Sequence, residues 1–208
     1  MTLSRFFENN IGRSKEFWTP LYDKLVQTYP LQLGNVTLDH FIKGINKSEP
    51  SLIRIEADEL SYPLHIIIRY EVEKMIFDGE VTVEELPEVW NKKYEEYLGV
   101  TPPDYACGVL QDTHWSIGEF GYFPSYAIGS AIAAQIYYHL LKTSPLNKHL
   151  EEGNITPIVE FLKENIHKYG MTKNTNEILK DITGEEFNAD YYVQYLKEKY
   201  ETLYNISI

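Results

Sequence analysis

The residues best suited to chemistry in this chain lie on one glycine-punctuated loop. Residues 108–126 read Gly-Val-Leu-Gln-Asp-Thr-His-Trp-Ser-Ile-Gly-Glu-Phe-Gly-Tyr-Phe-Pro-Ser-Tyr and run into an apolar stretch. They place a carboxylate (Asp112), an imidazole (His114), an indole (Trp115) and two phenols (Tyr122 and Tyr126) close together in sequence. An imidazole and a phenol can both donate hydrogen bonds to a developing oxyanion, so His114 with Tyr122 or Tyr126 is a candidate constellation for that task. Asp112 and His114 are two residues apart, which on an extended segment would put both on one face. As the start of a metal site the pair needs a third ligand, and Glu119 is the acid on the same loop. A substrate-facing pair is the favoured reading.

A second candidate is Arg54, inside the apolar run Leu52-Ile-Arg-Ile55. Two readings stand open. It is paired internally with Glu56, Asp58 or Glu59, or it is a bidentate clamp for a substrate carboxylate. Asp58-Glu59 at the head of a predicted helix reads as capping and first-turn chemistry, in preference to a metal cluster. His65 reads as a core histidine. None of the six histidines belongs to a His-Glu-x-x-His pair, and the chain has no P-loop, Gly-x-Gly-x-x-Gly or Gly-x-Ser-x-Gly motif.

The elements that position these residues read as helices. Apolar periodicity predicts helices over 4–17, from Pro20 to near Pro30, from Thr37 through Ile45, over 59–78, and from a Thr82/Glu85 capping box to Leu98-Gly99. A mostly apolar helix follows Pro124 to about Leu141, and three more are predicted at 157–168, 174–182 and 189–204. Residues 51–57 alternate apolar and polar, and 107–112 are apolar and then polar; the two could pair as a small sheet. The class expected is all-α with a minor β element, in one domain over 1–208.

Composition narrows the partners. The 208 residues carry 31 acids against 19 Lys plus Arg, a formal net charge of −12. Such a surface repels phosphate backbones and anionic membrane faces. Cys107 is the only cysteine, so no internal disulfide and no Cys-based zinc site is available; it reads as a small buried side chain. The N-terminus lacks the pattern of a signal peptide, and a cytoplasmic protein is expected.

The motifs resemble a known family. Ile53-Arg-Ile-Glu-Ala-Asp58 matches the Ile-Arg-x-x-Ala-Asp motif of the carboxypeptidase Taq family of zinc metallocarboxypeptidases. Gly108-Val-Leu-Gln-Asp-Thr-His-Trp115 matches its Gly-x-x-Gln-Asp-x-His-Trp motif. Further similarity runs through Ala57 to His65, Gly121 to Tyr126, Ile182 to Gly184 and Tyr195 to Tyr200. The resemblance covers essentially the whole chain but only the C-terminal part of the family's usual length. It implies the C-terminal portion of a neurolysin/angiotensin-converting-enzyme-like fold, largely helical around a groove. It also implies that Arg54, Gln111 and Asp112 bind substrate, and that His114 with Tyr122 or Tyr126 faces the scissile carbonyl or the substrate's end.

The same resemblance bears on the cofactor. The family holds zinc with His-Glu-x-x-His and a further Glu, which leads into Ser-Arg-x-x-Glu-Asn-x-x-Gly-Arg-Ser. Ser4, Arg5, Glu8, Asn9, Gly12, Arg13 and Ser14 match that continuation, and in this register the ligand Glu falls on Met1. No metal ligand and no cofactor is therefore expected within the chain, and the expected function is that of a carboxypeptidase portion inactive by itself. The alternatives are a non-catalytic module for peptide C-termini or dimerisation, and a half-enzyme complemented by a separately encoded N-terminal half. The expected partners are peptide C-termini and a second copy, the latter because the family is homodimeric by resemblance.

Overall fold

The structure is a computed structural model and describes residues 1–207. Its α-helices in chain order are α1 (Thr2–Arg5), α2 (Lys15–Trp18), α3 (Tyr22–Thr28), α4 (Pro30–Leu33), α5 (Leu38–Ile45), α6 (Tyr62–Phe77), α7 (Leu86–Leu98), α8 (Pro124–Thr143), α9 (Leu146–Glu151), α10 (Thr156–Asn165), α11 (Thr175–Thr183) and α12 (Asp190–Tyr204). No strand occurs among the described residues. No helix among them is long and apolar enough to cross a membrane. The chain forms two compact units, Met1–Ile45 with Ile128–Ile208, and Asn46–Ala127.

In the unit of residues 1–45 and 128–208, Phe6, Ile11, Ile136, Leu140, Leu146, Leu150, Ile158 and Leu162 form the largest core cluster. The long helix predicted over 4–17 is interrupted. A π-helical turn at Phe6–Ile11 lies between α1 and α2, and Ser14 caps α2 by accepting from the Phe17 amide. Ala131 and Ala134 of α8 pack with Tyr192 and Tyr195 of α12. Thr37 caps α5 through the His40 amide, as its position implies. Helix α11 starts at a reciprocal capping box between Asn174 and Glu177.

The unit of residues 46–127 carries the motifs. Helices α6 and α7 pack together through Ile68, Val72, Trp90, Tyr94 and Leu98. Pro63 sits in the first turn of α6, where a missing N–H costs nothing. Ahead of that turn, Asp58 accepts from the amides of Leu60 and Ser61 at 2.9 Å, from Ser61 Oγ at 2.7 Å, and from Ser48 Oγ and the Glu49 amide. Its carboxylate is saturated as a cap. Burial alone would raise its pKa, but the Ser61 and Glu49 hydrogen bonds hold it below the ordinary value.

The expected small sheet is replaced by side-chain bonding. Arg54–Glu56 form a 3-10 turn, and residues 105–110 form turns. The two segments are tied by one side chain. Gln111 Oε1 accepts the Arg54 amide at 2.9 Å, and Gln111 Nε2 donates to the Leu52 carbonyl at 3.0 Å. A primary amide has the same donor and acceptor as a peptide group, so Gln111 satisfies the backbone that a second strand would have satisfied.

Candidate functional site

Three polar residues on α6 fall on one helix stripe: His65, Arg69 and Glu73, spaced four apart. All three are buried. A stripe of this kind inside an apolar helix must find its partners in the protein, because burying an unpaired charge is costly. Its partners come from the 108–121 loop and from Tyr94 of α7.

Arg54 and Arg69 share one carboxylate. Asp112 Oδ1 takes Arg54 Nη2 at 2.6 Å, and Asp112 Oδ2 takes Arg69 Nε at 2.6 Å. Arg54 Nε adds contacts of 3.2 Å to both oxygens. Arg54 is 5% exposed and Arg69 0%. Burial disfavours charge on Asp112, but the Arg54 hydrogen bond and the Arg69 charge outweigh it, so the carboxyl stays below its usual range. Burial likewise opposes the charge on Arg54, and the Asp112 bond reverses the balance upward. Two cations against one anion leave this cluster with an excess positive charge. The remaining donors turn inward: Arg69 Nη1 to the His65 carbonyl at 2.8 Å, and Arg69 Nη2 to Gln111 Oε1 at 2.8 Å. Tyr94 Oη closes the network, meeting Gln111 Nε2 at 3.1 Å and His65 Nδ1 at 3.1 Å.

The internal partner of Arg54 is thus Asp112, fifty-eight residues away, and not Glu56, Asp58 or Glu59. Asp58 is committed to its turn, which removes it from competition. Gln111 and Asp112, expected to bind substrate, also spend their hydrogen-bonding groups on the protein.

His114 lies beside this cluster. Its Nε2 is 3.1 Å from Tyr126 Oη, and its Nδ1 is buried with no hydrogen-bond partner, 4.0 Å from Asp112 Oδ1. The Tyr122 ring stacks on the imidazole, with centroids 5.7 Å apart at 27°, and Phe123 lies 4.5 Å away. The Arg54 guanidinium sits 4.9 Å from the centre of the Tyr126 ring. Burial pushes the Tyr126 hydroxyl pKa up, with Arg54 opposing. The structure therefore gathers Arg54, Gln111, Asp112, His114, Tyr122 and Tyr126 in one place. Tyr122 is 40% exposed, so it forms the outer edge of the cluster.

Sequence reasoning passed over Arg69, Tyr94 and Glu73. The signal available was the four-residue spacing of polar groups on an otherwise apolar helix. His65 is fully buried, as expected of a core histidine, but its Nε2 has no partner. Burial, then the charges of Arg69 and Arg54, depress its pKa to about 4. Cys107, expected to be buried, is only part-buried, and burial raises its thiol pKa.

The profile of the carboxypeptidase Taq (M32) metallopeptidase family matches residues 2–200. The chain belongs to that family. This M32 chain is 53% identical over 202 residues to carboxypeptidase 1 of Bacillus subtilis (strain 168), covering 97% of the chain and 40% of the relative. It is 40% identical to thermostable carboxypeptidase 1 of Pyrococcus furiosus, covering 95% of the chain and 40% of the relative. The crystal structure of the M32 carboxypeptidase from Deinococcus radiodurans R1 superposes with a TM-score of 0.95 at 34% identity, over 99% of this chain and 42% of that one. The M32 chain thus spans about 40% of the length of the curated relatives it matches.

The residues of this cluster do not fit a metal ion. No group of three or more His, Cys, Asp or Glu side chains among the described residues could hold one. Both Asp112 oxygens are occupied by guanidinium groups and His114 Nε2 is bonded to Tyr126. Two neighbouring guanidinium charges would also repel a cation.

Proposed function

We propose that this chain supplies the substrate-end wall of an M32 carboxypeptidase site, the part that receives a peptide's C-terminal carboxylate. The observation that carries the reading is the cluster of two guanidinium groups on one carboxylate, lying under Tyr126 and beside His114. Its excess positive charge favours an anion at the adjoining surface, where partial burial lowers the effective dielectric and weakens screening. Arg54 acts by charge and not by contact, because its donors point to Asp112 and the Tyr62 hydroxyl and its face is covered by Tyr126. The group free to touch the peptide is the Tyr122 hydroxyl, with His114 behind it. Tyr126 holds His114 in place through its hydrogen bond with Nε2.

The same reading predicts that the 208 residues by themselves do not cleave peptides, since the sequence contains no His-Glu-x-x-His and the donor set at His114 is closed to a cation. Incubating the pure chain with zinc and peptides bearing free C-termini is expected to release no amino acids, and elemental analysis after dialysis is expected to find no stoichiometric zinc. Steady release that scales with chain concentration would overturn it.

A further inference from the structure

The 108–126 loop is held at a second point by Glu73 of α6, a residue outside both family motifs. Glu73 of α6 is 9% exposed. Its Oε2 accepts from Trp115 Nε1 at 2.7 Å, and its Oε1 accepts from the Gly121 amide. Between these two anchors the chain reverses through Gly118 and Gly121, at φ +79° and +71°, conformations that side chains rarely adopt. One anchor lies directly after His114 and the other directly before Tyr122. The carboxylate therefore spans the base of the turn whose two ends carry the stacked imidazole and phenol.

We propose that Glu73 is a positioning residue that sets the stacking of His114 on Tyr122, and that a carboxylate is required there. The inference rests on the reading of those two residues as substrate-facing. Both partners of Glu73 are donors. A carboxylate has acceptors on both oxygens, whereas a glutamine must turn its NH2 toward one of them. Two donors facing each other in a buried place release one end of the turn. The isosteric change is thus predicted to be disruptive for a stated chemical reason, and removing one donor is predicted to cure it. In Glu73→Gln with Trp115→Phe, Oε1 can serve Gly121 while the NH2 faces a ring edge with no donor.

The test compares the unaltered chain, Glu73→Gln, Trp115→Phe and the double variant. Contacts between the His114 and Tyr122 rings are read by nuclear Overhauser effects in labelled protein, and hydrogen exchange is read at Gly121 and along α6. Glu73→Gln is expected to lose the ring contacts and to speed Gly121 exchange tenfold or more, with the α6 interior amides unchanged. The double variant is expected to recover both. Retention of the ring contacts and slow exchange in Glu73→Gln would overturn the proposal, as would a double variant no better than the single one. Peptide affinity, measured separately, distinguishes the two levels. If the unaltered chain binds no peptide while the ring contacts follow this pattern, the proposed function fails and the positioning role stands.

Discussion

Asp112→Asn is expected to destabilise the unit of residues 46–127 by about 3–5 kcal/mol, the range found when one partner of a buried ion pair is removed. The physical cause is charge balance. With Asp112 present, the Arg54–Asp112–Arg69 cluster has one excess positive charge; without it, two buried guanidinium groups face one another uncompensated. A second variant keeps the charges balanced. Arg69→Met leaves Arg54 and Asp112 as a neutral pair, and it deprives Gln111 Oε1 and Tyr94 Oη of one partner among several. It should cost less than Asp112→Asn, although Arg69 is the more deeply buried group. Urea unfolding followed by Trp90 and Trp115 fluorescence, in a Trp18→Phe background, reads this unit. Equal losses, or a loss under about 1 kcal/mol for Asp112→Asn, would contradict the charge argument.

The second large effect is a loss of stability in mild acid. His65 is neutral in the folded protein, with its pKa near 4, against about 6.5 when exposed. Between those values the unfolded chain binds a proton that the folded one refuses, so unfolding becomes easier as pH falls. The stability is fully present above pH 6.5 and is lost through the window down to about 4, a total of roughly 3 kcal/mol. Asp58 and Asp112 have depressed pKa values, so their contribution is lost only at lower pH, below the ordinary carboxylate range. Burial also lowers the pKa of His139, but that residue belongs to the other unit. His65→Gln should flatten the curve between pH 6.5 and 4 when unfolding is followed at Trp90 and Trp115. An unchanged slope would assign the effect elsewhere.

Most of the helices could be read from the sequence because their signals are local. Thr37, Gly99 and Pro124 mark helix ends through capping and backbone geometry that depend on few neighbours. The misreadings arose where distant residues decide. Leu52–Glu56 alternates like a strand, but its backbone is satisfied by the Gln111 side chain, some sixty residues on. The first segment has helical periodicity throughout, yet a π-turn shifts its register at Phe6–Ile11, a change that periodicity does not encode. The six residues singled out for the site do gather in one place. What the sequence concealed was their division of labour. Internal pair and substrate clamp both stand open for Arg54 until Asp112, shared with Arg69 inside an apolar helix, is seen to hold it.

The most direct measurement is titration calorimetry of the chain with a short peptide as its free acid and as its C-terminal amide. The account predicts that the free acid binds and the amide does not. It also predicts that Tyr122→Phe weakens the acid about tenfold or more, the worth of one hydrogen bond to a charged group, with stability unchanged. Equal binding of acid and amide, or no binding of the acid at all, would contradict the claim that this wall receives a peptide's terminal carboxylate.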